Sequence, residues 1–240
     1  MAVLFLINLI VGASAYLITV RILRTKGFVD SAISFLILYF SQIVLTELLL
    51  GLLQALYLSD VVLLNLAILL AVILLSRKKE SAKFQVPTIQ LSEILNNKAA
   101  LFAFSAIITF GVIKAGINLM NPPFGWDNLN YHFTFPVEWF KYGNLDTPIT
   151  IADDPGPTYY PINGSLYYLW LILPLKNVFL ADLGQLPFYA LAFLSVFSIA
   201  KKTGLSKEKA FFAASLFSLI PNYFKQLQVA YVDVMVGALF

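Results

Sequence analysis

The chain has 240 residues, 60% hydrophobic and 12% charged, with a net charge of +3. Soluble domains carry about a quarter charged residues, so this composition excludes a soluble globular protein and implies residence in a membrane. The small positive charge gives no nucleic-acid footprint, because the cations flank apolar runs and act there as topology signals. The absence of cysteine excludes disulfides, thiol nucleophiles and Cys-ligated metals.

Met1–Val20 is apolar for long enough to cross a hydrocarbon core, which takes about 20 residues. Ala13-Ser14-Ala15 resembles a signal-peptidase site. No Lys or Arg precedes the run, however, and it continues to Val20, so it is read as a first span. A basic loop with Arg21, Arg24 and Lys26 follows. Ser31–Leu58 and Val61–Leu75 read as a helical hairpin turned at Ser59-Asp60, and Arg77, Lys78, Lys79 and Lys83 open the next basic loop. Ala99–Leu119 is a fourth span. By the positive-inside rule, residues 21–27 and 76–98 are cytoplasmic, and the loop from Asn121 to Gly164 faces the other side.

Beyond that loop, Ser165–Leu180 is broken by Pro174 and Lys176 and reads as a re-entrant or interfacial helix. Were it to cross, Lys201–Lys209 would lie outside, against the rule. Gln185–Ala200 is the next span, and Phe211–Tyr223 the return outward. Val234–Phe240 begins a further apolar run too short to cross, which predicts a single membrane domain, 1–240, truncated at its C-terminus. The fold class is therefore an all-α polytopic transmembrane bundle with amphipathic juxtamembrane helices in a long external loop.

The external loop holds the only histidine, His132. Within Trp126–Lys141, the residues Trp126, Leu129, Phe133, Val137 and Phe140 recur at three and four, predicting an apolar face laid on the membrane. Asp127, Asn130, Tyr131, Thr134, Glu138 and Lys141 form the opposite face, and Pro136 kinks the helix or splits it in two. Asp127 reads both as an N-cap and as a catalytic carboxylate, and the two roles are compatible. His132 reads either as a ligand for substrate phosphate or as an interfacial histidine with a solvent partner. Asp153 and Asp154 sit in a Pro-Gly turn and are the weak candidates for a divalent cation. Tyr159-Tyr160-Pro161 is an interface aromatic cluster, and Asn163-Gly164-Ser165 fits a short glycosylation sequon. Asp233 falls on the same side as Asp127. Intramembrane Glu47 and Lys114 are read as structural, the first paired inside the bundle and the second snorkelling.

Trp126-Asp127-Asn128-Leu129-Asn130-Tyr131-His132, Pro136-Val137-Glu138-Trp139, Tyr160-Pro161-Ile162-Asn163-Gly164-Ser165-Leu166, Ala200-Lys201-Lys202-Thr203-Gly204 and Tyr231-Val232-Asp233 together resemble a series found in the GT-C-fold membrane glycosyltransferases. The relatives meant are the protein O-mannosyltransferases and the bacterial aminoarabinose and lipopolysaccharide-core transferases. The resemblance covers roughly Phe110 to Phe240. Three spans precede the loop helix where that family often has one, and the family's later spans are absent. The resemblance implies transfer of a sugar from a polyprenyl-phosphate donor to a lipid, glycan or protein acceptor on the outer face, most simply of the plasma membrane. It implies Asp127 as catalytic base, and Tyr131, His132, Tyr160, Asn163 and Asp233 as substrate-binding residues. It establishes no cofactor, and a divalent metal stays open. A membrane transporter and a non-catalytic scaffold are the rival classes. An enzyme requires Asp127 and Asp233 to share one outward cavity, which neither rival does.

Overall fold

The computed structural model describes residues 1–82, 97–148 and 155–240. Among these the fold is all α, with ten α-helices and no strand. Helix α1 is Ala2–Leu17, prolonged by a π turn over Ile18–Leu23. It is followed by α2 (Phe28–Leu52), α3 (Leu58–Ser76) and α4 (Lys98–Met120). The shorter α5 (Thr134–Tyr142) and α6 (Asn163–Ile172) precede α7 (Leu186–Lys202). Three more short helices follow, α8 (Lys207–Ser218), α9 (Pro221–Lys225) and α10 (Asp233–Leu239). Among the described residues, five stretches are long and apolar enough to cross a membrane: Ala2–Leu23, Phe28–Leu52, Leu58–Ser76, Lys98–Met120 and Ala181–Lys202. The chain is therefore a multi-pass membrane protein. Helices suit these runs because hydrocarbon offers no partner to a free backbone group. Large apolar side chains stay exposed on their flanks, as at Leu45, Leu70 and Phe102, where lipid covers them.

The tethers between helices define two ends. At one, the Ala82 amide donates to the Val20 carbonyl (2.8 Å) and the Arg21 Nε to the Ser81 hydroxyl (3.2 Å). At the same end Asp30, in the first turn of α2, pairs with Lys202 (3.6 Å) and accepts from the Ser198 hydroxyl (3.3 Å). At the other, the Leu56 amide donates to the Gly143 carbonyl (2.9 Å). The Asn118 amide there reaches the carbonyls of Asp182 (3.2 Å) and Leu227 (2.8 Å). The 25 residues of α2 separate the two ends, about 37 Å at 1.5 Å per residue. That exceeds the roughly 30 Å hydrocarbon core. The basic loops and the polar segment after α4 thus occupy opposite ends of the bundle.

Of the two segments expected next, Ser165–Leu180 forms no crossing helix, as expected, and Phe211–Tyr223 is not one helix. Helix α6 has only 10 residues, about 15 Å, or half the core. Ser165 to Trp170 and Ile172 are all buried, so it is no interfacial helix with a wet face; it is sunk among the spans. The Trp170 indole donates to Asn8 of α1 (3.0 Å), and the Tyr167 ring meets Phe40 of α2 edge-on at 5.4 Å. The single return helix expected over Phe211–Tyr223 is instead broken. Helix α8 ends at Ser218, and α9 starts at Pro221, which has no N–H to continue the ladder. The return is still made in pieces, since α8 packs along α7 and α4 and Leu227 meets Asn118.

Candidate functional site

The site begins where α4 stops, at Asn121-Pro122-Pro123. Gly125 follows at φ +110°, a conformation reserved for glycine, and a Cβ there would stand 3.1 Å from Val229. The chain then turns through a π segment, Asn128–His132, in which the Phe133 amide bonds five residues back to the Asn128 carbonyl (2.9 Å). Pro136 lies in the first turn of α5, where a missing N–H is tolerated. The predicted helix is therefore split in two.

The π turn widens the helix and shifts its phase. This overturns the first half of the predicted polar face: Asn130, expected to look outward, is buried together with Asn128 and His132, while Trp126 and Leu129, expected on the membrane side, stay 70% and 53% exposed. From Phe133 onward the apolar face holds in part: Phe133 is buried, Val137 and Phe140 are half-buried, and Phe135 and Trp139 join them.

Asp127 is not a side-chain cap. Its backbone is helical and its carboxylate makes no capping bond. Its partner is Tyr131, whose phenol pKa is raised by burial first, then by the charge of Asp127 and a hydrogen bond to it, and further by Tyr160 and Asp233. Asp127 therefore holds the phenol by a hydrogen bond, whereas Asp233 acts on it through its charge alone. Asp233 is exposed and occupies the first position of α10, with Val232 in the cap position. A carboxylate in that first turn is favoured by the helix dipole.

His132 is 3% exposed. Its Nδ1 lies 3.0 Å from the Ser165 hydroxyl, and its Nε2 has no partner among the described residues. Burial pushes its pKa down to about 4. At neutral pH it offers a phosphate or hydroxyl a hydrogen bond rather than a charge. The interfacial reading with a solvent partner is overturned, since the ring is packed between Tyr131 and Tyr168 at centroid distances of 4.2 and 5.9 Å.

A cavity of about 620 Å³ lies between α2, the start of α6 and α10, and its wall includes Tyr131, His132, Tyr160 and Asn163. That volume suits a drug-sized ligand. Apart from Ser41, the rest of the lining is mainly apolar, including Phe40, Val44, Met235 and Leu239. Leu45 and Val236, at 62% and 56% exposed, leave it open sideways along the helices. Asp127 and Asp233 are not in the wall, so the cavity expected to be shared by these two carboxylates is not formed by them; Tyr131 links Asp127 to it. The start of α6 and the start of α10 approach closely, for a Cβ on Gly164 would lie 2.2 Å from Val232 Cγ1.

Sequence reading missed a buried polar cluster behind the site. The Asn128 amide donates to Asp182 (3.2 Å), and Gln185 donates to the Gln226 carbonyl (2.8 Å). With Asn118, these residues fix the π turn to the start of α7 and the chain after α9. An Asn at the end of an apolar run and an Asp at the start of another were the available signals. Ser165, read as part of a sequon, is buried against His132. Glu47, expected to be paired, is fully buried with both carboxylate oxygens unpartnered among the described residues. Asp153 and Asp154 lie outside the described residues. Among those described, no three His, Asp or Glu side chains gather as a metal site.

Comparison with protein-family models, curated proteins and solved structures finds no match to this chain.

Proposed function

We propose that the protein is a membrane glycosyltransferase that moves a sugar from a polyprenyl-phosphate donor to a lipid, glycan or protein acceptor. The observation that carries this reading is the cavity itself, in which Tyr131, His132, Tyr160 and Asn163 stand together against an otherwise mainly apolar lining open along the spans. A substrate with a polar head and a long hydrocarbon tail matches that division. The sequence motifs resembling GT-C transferases fall on the same residues. Asp127 is the general base that takes the proton from the acceptor as it attacks the anomeric carbon. The phosphate leaves as an anion and needs no acid. Tyr131 holds the Asp127 carboxylate, Tyr160 and Asn163 bind the sugar, His132 hydrogen-bonds the head group, and Asp233 lies on the acceptor side.

The basic ends of α1, α3 and α7 are cytoplasmic by the positive-inside rule. This puts the site on the non-cytoplasmic face, most simply of the plasma membrane. A transporter reading has less support: transporter sites lie near mid-bilayer between broken helices, and Asp127 follows the end of α4 while Asp233 follows the broken return, both outside the five spans.

The test is transfer of labelled sugar from a panel of polyprenyl-phosphate sugars by the protein in vesicles. Asp127→Asn is expected to lower turnover about 100-fold or more with folding intact, because the residue caps nothing. Near-normal turnover in a folded Asp127→Asn protein removes Asp127 as the base, and no turnover with any donor removes the reading.

A further inference from the structure

The opposite end of the bundle holds a second, unrelated concavity. It has a volume of about 530 Å³ and is lined by Arg21, Ile22, Arg24, Lys78, Lys79 and Glu80. Four cations and one anion therefore share one pocket. The positive-inside rule accounts for Lys and Arg on this side, but not for their being gathered and held. The holding is structural. The π turn at the end of α1 closes with Arg24 in the left-handed region at φ 54°, which non-glycine residues rarely adopt. The bond from Ala82 to the Val20 carbonyl and the bond from Arg21 to Ser81 then draw the segment after α3 against that turn. Neither Arg21, Arg24, Lys78 nor Lys79 has an ion-pair partner among the described residues. Four like charges so placed repel one another, and a phosphate oxygen is the ligand that relieves this while accepting from both guanidinium and ammonium donors.

We propose that this pocket binds the phosphodiester of an anionic phospholipid. The argument for a lipid over a free anion is what lies beside it. Leu23, Leu74 and Leu75, at 54%, 60% and 69% exposed, border the cationic residues at the ends of α1 and α3. Phosphate-binding donors above exposed leucines suit an amphiphile whose acyl chains run down the helices. Basic pockets at the ends of spans recognise anionic head groups by this logic. The proposal is independent of the glycosyltransferase reading, since it uses none of that site's residues.

The experiment uses the whole chain in phosphatidylcholine nanodiscs containing a minor fraction of phosphatidylglycerol, with lipid retention after detergent extraction read by native mass spectrometry. Lys78→Gln with Lys79→Gln changes exposed residues only. It is expected to reduce retained phosphatidylglycerol about tenfold and leave phosphatidylcholine unchanged. Lys207→Gln with Lys209→Gln removes the same charge from exposed positions at the same end but outside the pocket, and is expected to leave retention as in the wild type. Equal loss in both double variants reduces the effect to surface potential and overturns the proposal. Equal retention by the wild type and the Lys78/Lys79 variant also overturns it. Inorganic phosphate is the remaining arm: if millimolar phosphate displaces the retained phosphatidylglycerol, the pocket belongs to a soluble anion and the lipid assignment fails. No displacement is expected.

Discussion

Tyr131 lies four residues after Asp127, with a π turn between them, and its hydroxyl links that carboxylate to the cavity wall. Tyr131→Phe keeps the ring and deletes only this link. A hydrogen bond to a charged group is worth about 1.5–3 kcal/mol, so turnover should fall about tenfold or more while thermal stability stays close to the wild type; unchanged turnover would falsify the linking role. His132 gives a pH prediction. Its pKa is about 4 in the fold against 6.5 in an unfolded chain. Between those values the unfolded chain binds the extra proton, so stability is complete above pH 6.5 and declines as pH falls toward 4. The loss reaches about 3 kcal/mol. In a thermal-unfolding series from pH 7 to pH 4.5, His132→Gln should show a shallower decline than the wild type. Parallel curves would mean that some other group carries the acid sensitivity.

Among the elements, the approach of α6 to α10 is the most exposed to test. Gly164→Ala places a methyl against Val232, immediately before Asp233. Overpacking of this kind costs about 1–3 kcal/mol, and here it also displaces an acid of the site. The expected outcome is a lower melting temperature together with reduced turnover. Gly116→Ala, with open space around its Cβ inside α4, should leave turnover unchanged and should not lower the melting temperature, since alanine is the better helix former. The element scale also separates what the sequence made legible from what it did not. Spans α1 to α4 and α7 could be read because each is a long apolar run with cations at its ends, and the length of a run is a local property. The buried character of Asn128 and Asn130 could not be read, because a π turn breaks the 3.6-residue period on which such inference rests. The break between α8 and α9 was signalled by Pro221 alone, two residues before the end of the apolar run at Tyr223.

For the whole molecule, the absence of cysteine makes orientation easy to measure. Single cysteines at Asn144 and Ser81 lie at opposite ends of the bundle, as their neighbours Gly143 and Ala82 are tied to Leu56 and Val20. An impermeant thiol reagent applied to intact cells should label position 144 and spare position 81; the reverse pattern inverts the topology. Four of the residues named from sequence, Tyr131, His132, Tyr160 and Asn163, do meet in one cavity. Their shared loop made that partly legible. The cavity's far wall, Phe40 from α2 and Phe188 from α7, was invisible, because nothing local pairs residues so distant in the chain.

That distance bears on the order of events during synthesis. Helix α6 is seated by Trp170 on Asn8, a contact across 162 positions, and by Tyr167, which stands edge-on to Phe40 and Phe188, whose rings stack on each other at 3.9 Å. Half a helix has no span of its own to hold it, and contacts between such distant residues form late. Asn8 and Phe40 are made before α6 and only Phe188 arrives after it, so a nascent chain that has not yet delivered α7 carries α6 with that side of Tyr167 uncovered. Chains halted just before Leu186 should insert α1 to α4 normally yet be cut by added protease between Gly156 and Ile172, and chains extended through Lys202 should become resistant there.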